Sequence, residues 1–154
     1  MRTIVAPTLK DTVRGYPGCR IGFRLTSKET NDALSVIDMQ MTPGSEPVRH
    51  YHLWEDETLI LHKGTATFFI GDDIINAKAG DIVFIPRTVP HHFVITSNTV
   101  HCTLLITPGG LESFFGEATV PFERDILPTA DRISTKEEME IINRDAEKYG
   151  IRFV

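Results

Sequence analysis

The stretch RHYHLWEDETLILHKG, Arg49 to Gly64, sets two histidines one residue apart and a glutamate five positions after the second. In a β-strand, residues two apart point to the same face and lie roughly 6.6 Å from each other, at about 3.3 Å per residue. His50 and His52 are therefore expected to aim at one point, with Tyr51 turned away. The segment LWED that follows offers a reversal of the chain, and on the next run Glu57, Leu59 and Leu61 share a face. A hairpin is expected to return Glu57 toward the two imidazoles.

Further along, GDIVFIPRTVPHHF (Gly80 to Phe93) places His91 directly after a proline-bounded turn. It opens another strand, with Phe93 and Ile95 on the same face, and is the natural fourth ligand. Three neutral imidazoles and one carboxylate suit a single divalent transition ion, Fe, Mn, Ni, Cu, Co or Zn, and argue against calcium or magnesium. A six-coordinate ion held this way would keep open positions, which separate a reactive site from a structural one.

The rest of the chain supplies the frame. It has 154 residues, of which 41% are hydrophobic, enough for one domain with its own core. The net charge is −5 and no Lys/Arg-rich run occurs, so nucleic acid is not an expected partner. No apolar run approaches the roughly 18 residues that cross a bilayer, and no membrane role is expected. Cys19 and Cys102 have no metal spacing and no signal-peptide pattern precedes them, so reduced thiols and a cytoplasmic location are expected.

From Cys19 to Ile106 the chain reads as short β-rich runs separated by turn chemistry: CRIGFRLTS, ALSVIDMQM, RHYHLW, ETLILH, TATFFI, DIVFIP, HHFVIT and HCTLLIT. That pattern favours an all-β sandwich or barrel. In TATFFI the alternation puts Ala66, Phe68 and Ile70 on one face. After TPGG the character turns helical. LESFFGEA is short and amphipathic, and Pro121 and Pro128 bound a connector. Ser134 and Glu137 form a capping box ahead of Met139, Ile142, Ala146 and Tyr149 at helical spacing. Residues 1–18 are thus expected as an N-terminal segment, 19–108 as the barrel, and 109–154 as a helical tail packed on it.

Gly44, His50, His52, Glu57 and Gly64 follow the spacing G-x5-HxH-x4-E-x6-G, and Gly80, Pro86 and His91 follow G-x5-P-x4-H. On these residues the sequence resembles the cupin superfamily, over most of residues 19–108, and the tail is similar to single-domain cupins of the quercetin-dioxygenase-like type. The resemblance implies a double-stranded β-helix (cupin jelly-roll barrel) with short C-terminal helices. It also implies a metal in the barrel mouth bound by His50, His52, Glu57 and His91, and a homodimer, for which MRTIVAPTL is a candidate edge strand. Two positions depart from the family pattern: Thr88 stands where glycine is expected and Ile95 where asparagine is expected. A β-branched residue is poorly suited to positive φ, so the turn before His91 is expected to change shape and to be held by Pro86 and Pro90. Ile95 makes the inner wall more apolar, which suits a substrate with a hydrophobic or aromatic portion.

Candidate substrate contacts are Trp54, Phe68, Phe93, Ile95 and Phe115. For Trp54, and for Phe68, Phe93, Phe114 and Phe115, core packing and pocket lining both remain open on the sequence. His62, His92 and His101 lack a partner of matching parity and are expected on the outer face. Three functions fit. The first is a metal-dependent dioxygenase for an enolisable or phenolic small molecule, with Glu57 as ligand and catalytic base. The second is an isomerase, cyclase or lyase that uses the ion only as a Lewis acid. The third is a ligand-binding barrel without chemistry. Fold alone does not choose among them.

Overall fold

Antiparallel pairing of the alternating runs yields two facing sheets. The computed structural model describes residues 13–121 and 144–154. Among them, β1 (Val13–Tyr16), β2 (Cys19–Leu25), a short helix α1 (Ser27–Thr30), β3 (Ser35–Met41), β4 (His50–His52) and β5 (Asp56–Lys63) come first. They are followed by β6 (Thr65–Ile70), β7 (Asp73–Lys78), β8 (Ile82–Ile85), β9 (His91–Ile95) and β10 (Val100–Thr107). Helix α2 (Glu112–Ala118), β11 (Val120–Pro121) and β12 (Ile151–Phe153) complete the order. One sheet runs β11-β1-β2-β3-β10-β5-β8 and the other β12-β4-β9-β6-β7. This is the all-β architecture that the runs favoured and the jelly roll with short helices that the resemblance implied.

Each sheet turns its apolar set inward. In β3 and β10 buried and less buried residues alternate along the whole strand, and in β5 the buried set is Glu57, Leu59 and Leu61. In β6 it is Ala66, Phe68 and Ile70, as the sequence pattern required. The innermost side chains include Ile21, Ile37, Met41, Leu61, Phe68 and Ile106. Each such burial contributes about 1.5–3 kcal/mol. Cys19 and Cys102 are free and buried in this core, where burial pushes both thiols up to about 12, so neither is a nucleophile at neutral pH.

Gly64 is the motif glycine with the sharpest demand. Its φ is +84°, and a Cβ there would run into the Thr99 carbonyl oxygen and the Ser97 hydroxyl. Only glycine lets β5 turn into β6 at that point.

Three expectations are corrected. First, β4 and β5 do not form a hairpin: β4 pairs with β12 and β9, whereas β5 pairs with β10 and β8 in the other sheet. The link at residues 53–55 crosses between sheets. Second, the barrel begins before Cys19, since β1 is paired with β2 along its length. Third, the tail is not helical to its end. After a helical turn at 144–148, the chain reverses at Gly150 (φ +73°), and β12 lies antiparallel on β4, with Ile151 opposite His52 and Phe153 opposite His50. The proposed N-terminal edge strand and the capping box with Met139 and Ile142 lie outside the described residues. Within them, no helix is long and apolar enough to cross a membrane.

Candidate metal centre

Strand pairing places the histidines before their chemistry is considered. β4 is a three-residue strand held on both edges, by β12 and β9, and His50 stands directly opposite His91. His50 and His52 point to the same inner face, with Tyr51 less buried between them. Glu57 reaches the three rings from the facing sheet, where it stands between Ile85 and Ile106. All four residues are buried, and one potential ligand atom from each lies within 4.8 Å of the others.

The rings form a tight group. Centroids are 4.5 Å apart for His50 and His91, 5.0 Å for His50 and His52, and 5.5 Å for His52 and His91. Glu57 Oε2 is 3.2 Å from His91 Nε2 and 3.4 Å from His52 Nε2. These distances give charge attraction, but neither His52 Nε2 nor His91 Nε2 has a hydrogen bond of good geometry. The Nδ1–H groups of His50 and His91 donate to the Val48 and Val89 carbonyl oxygens, at 2.8 and 2.9 Å. A carbonyl only accepts, so in the neutral ring the lone pair sits on Nε2. That is the arrangement in which metal-ligating histidines are normally held.

Electrostatics agree with a preformed anion among imidazoles. Burial pushes Glu57 upward, but the adjoining His52 and His91 outweigh it and hold its carboxyl well below the usual range. Burial lowers His50 to about 4. His52 feels the same burial, yet the Glu57 carboxylate, with a smaller pull from Glu55, raises it. A buried donor or acceptor left without a partner costs about 1–3 kcal/mol, so the bare nitrogens here are unfavourable unless something binds them. One divalent ion would satisfy the set, and the donor types fit a borderline transition metal.

In the turn before His91 the β-branched residue takes a left-handed backbone. Thr88 adopts φ +65°, its N–H donates to the His52 carbonyl oxygen at 2.7 Å, and Val89 N–H reaches Pro86 O at 3.4 Å. Thr88 thus carries a backbone that β-branched residues disfavour, and the bond to β4 is among the contacts that hold it there.

The remaining candidates fall into distinct places. Phe68 and Phe93 face each other across β6 and β9 with centroids 5.2 Å apart, and Ile95 is buried beside them. Trp54 does not follow the inward parity of His50 and His52, because β4 ends at His52. It is 51% exposed, and its indole lies against Gly150 so closely that a Cβ on Gly150 would come within 2.8 Å. Phe115, on α2, packs on Phe114, which in turn meets Tyr149. His62 is exposed and bonded to Thr103, His92 stacks on Phe69, and His101 pairs with Asp38, all outside the cluster. Two residues near the cluster went unread in the sequence. Phe153 of β12 approaches His50 at 6.2 Å, and Glu55 is buried with one bare oxygen. Neither carried a signal: the three residues IRF after Gly150 are too few to show a period, and Glu55 lies on a link between strands.

A cupin domain family matches residues 37–108, the segment from β3 through β10 that carries all four converging side chains. The chain carries a cupin domain. Among curated proteins no relative matches the sequence. Solved structures with the same fold include KdgF from Halomonas sp., at 13% identity and TM-score 0.64, covering 73% of this chain and 99% of that chain. A predicted oxalate decarboxylase from Thermotoga maritima superposes with TM-score 0.60 at 21% identity, over 68% of this chain and 99% of the other. The nucleoside dehydratase Pac13 of Streptomyces does so with TM-score 0.59 at 12% identity, over 73% and 88%. At these identities the likeness is one of fold.

Proposed function

We propose that His50, His52, Glu57 and His91 hold one divalent transition ion and that this cupin is a metal-dependent enzyme for a small molecule, a dioxygenase for an enolisable or phenolic substrate. The observation that carries the reading is a buried carboxylate among three imidazoles, two of them with Nδ1 tied to backbone carbonyls. When bound, such an ion supplies a Lewis acid and, in a redox-active metal, an electron source. The chain's own part is to keep water out and to move a proton. Glu57 is the group for that step: its place among the three rings would let the carboxylate accept a proton from an enolisable C–H or a phenol that comes within reach. On this reading Phe68, Phe93 and Ile95 would supply the apolar contacts of the substrate, and Trp54 and Phe115 its outer ones. The same reading carries a homodimer in a reducing compartment, with both cysteines as thiols.

A second reading has support of its own. Pac13 is named a nucleoside dehydratase and the Thermotoga protein a predicted oxalate decarboxylase. The same four residues serve isomerase, cyclase or lyase chemistry that consumes no oxygen.

The test begins with elemental mass spectrometry of untagged protein from unsupplemented medium, beside His50→Ala. Near-stoichiometric iron, manganese, nickel or copper that the variant loses supports the dioxygenase, and oxygen uptake with candidate enols and phenols then follows. Zinc favours the second reading. No metal in either protein after reconstitution removes both and leaves a ligand-binding barrel.

A further inference from the structure

Strand register fixes what surrounds each candidate ligand. Across the five-stranded sheet, Ile70, His91, His50 and Phe153 stand directly opposite one another in turn, on β6, β9, β4 and β12. Residues paired this way share a face, with Cβ atoms about 4.5–5.5 Å apart, so the whole row faces the barrel interior. His52 has Ile151 opposite it, and in the facing sheet Glu57 stands between Ile85 and Ile106. Ile70, Ile85, Ile106 and Ile151 are all buried. Phe153 alone of these five neighbours is partly exposed, and β12 is the last strand of its sheet among the described residues. Its ring packs on the core and lies 6.2 Å from the His50 imidazole, at an interplanar angle of 48°.

Four apolar neighbours thus enclose the cluster, and the fifth leaves a side on which solvent reaches an aromatic ring beside a candidate ligand. A small molecule that approaches the four residues from that side meets the Phe153 ring. A phenyl group forms no hydrogen bond with a polyol or a small anion, whereas it packs offset or edge-to-face on another planar ring. We propose that Phe153 is a specificity-determining residue of the site: it favours ligands that carry an aromatic or conjugated ring over ligands with the same donor atoms and no ring. This rests on the metal reading above and goes beyond it by assigning the ring preference to one residue on the last strand. A ring contact of this kind is worth roughly a factor of 2–12 in affinity.

The test loads wild type, Phe153→Leu and Phe153→Tyr with Co2+ and titrates each with acetohydroxamate and with benzohydroxamate, read by the visible spectrum of the bound ion. The two probes offer the same pair of oxygen donors and differ by a methyl against a phenyl group, so the ratio of their affinities isolates the ring. Wild type is expected to favour benzohydroxamate roughly five- to tenfold. Phe153→Tyr should keep that preference and Phe153→Leu should lose most of it, with acetohydroxamate binding alike in all three. A ratio in Phe153→Leu equal to that of wild type overturns the proposal. So does a wild type that binds both probes equally, a result that needs no variant. A Phe153→Leu that binds benzohydroxamate more tightly than wild type also overturns it, since the ring would then be an obstacle and not a contact. A wild-type protein that takes up no Co2+ is a different failure, that of the metal reading, and this proposal falls with it.

Discussion

Strand β5 presents Glu57 to the barrel interior and His62, five residues later, to the outside. Around each lies a group of similar composition. Inside are three histidines and a carboxylate; outside, His62 and His101 lie 5.1 Å apart with Asp38 bonded to His101 and Thr103 bonded to His62. The inner rings have backbone carbonyls behind them or bare nitrogens, and Glu57 is buried among them. The outer rings already have side-chain partners and border solvent. The same residue types thus form a site on one side of a sheet and a solvated network on the other, because burial decides whether an unpaired nitrogen is costly.

The largest effect expected from that difference is in metal binding. His52→Ala should abolish stoichiometric uptake, whereas His62→Ala and His101→Ala should retain it, as read by elemental analysis of the three purified variants. Metal lost from an outer variant would break the comparison at once. Next is turnover. Glu57→Gln should keep much of the metal through the three imidazoles but lose at least about a hundredfold in rate, because an amide accepts no proton. Once a substrate is in hand, an unchanged rate in Glu57→Gln would remove its role as base.

Stability of the metal-free protein against pH separates the two groups next. His50 is lowered to about 4, so between about 6.5 and 4 the unfolded chain takes up a proton that folded His50 refuses, and stability falls as pH falls. Taken alone this amounts to about 3 kcal/mol. Glu57, held low, acts in the same direction at more acid pH: its contribution is present above the unfolded value and is lost as pH drops through the folded one. His52, raised, opposes both, since its contribution is present at low pH and lost as pH rises through its folded value. Denaturant midpoints between pH 7 and 4.5 should therefore fall in wild type and fall less in His50→Gln. A wild-type curve as flat as that of the variant would mean that His50 is not buried neutral.

Alternation made the inner group legible before any coordinates. Period-2 spacing says which face a residue takes, and His50, His52, Glu57 and His91 all face inward as expected. It does not say which sheet a strand joins, so the approach of Glu57 from the opposite sheet was not readable. Parity also fails where a strand stops, as at His52, and Trp54 accordingly lies over Gly150 instead of beside the rings. Strand β7 was missed because only Ala77 of its residues is buried, which leaves no apolar period at this sheet edge. Strand β12 was missed because three residues are too few to show one. Thr88 went the other way: propensity argued against a left-handed threonine, and tertiary contacts imposed it.

The smallest expected effect lies outside. His101 and Asp38 are 2.7 Å apart with side chains 34% and 18% exposed, so water screens their attraction and both retain solvation when the pair is broken. A double-mutant cycle of Asp38→Asn and His101→Gln should give a coupling below about 1 kcal/mol that shrinks with added salt. Removing one partner inside the barrel leaves a bare buried group, whereas removing one here leaves a group that water can serve. A coupling of several kcal/mol, insensitive to salt, would mean that this face is covered in solution. The outer group would then be as dry as the inner one, and what distinguishes the two would be the Nδ1–carbonyl anchoring of His50 and His91 rather than exposure.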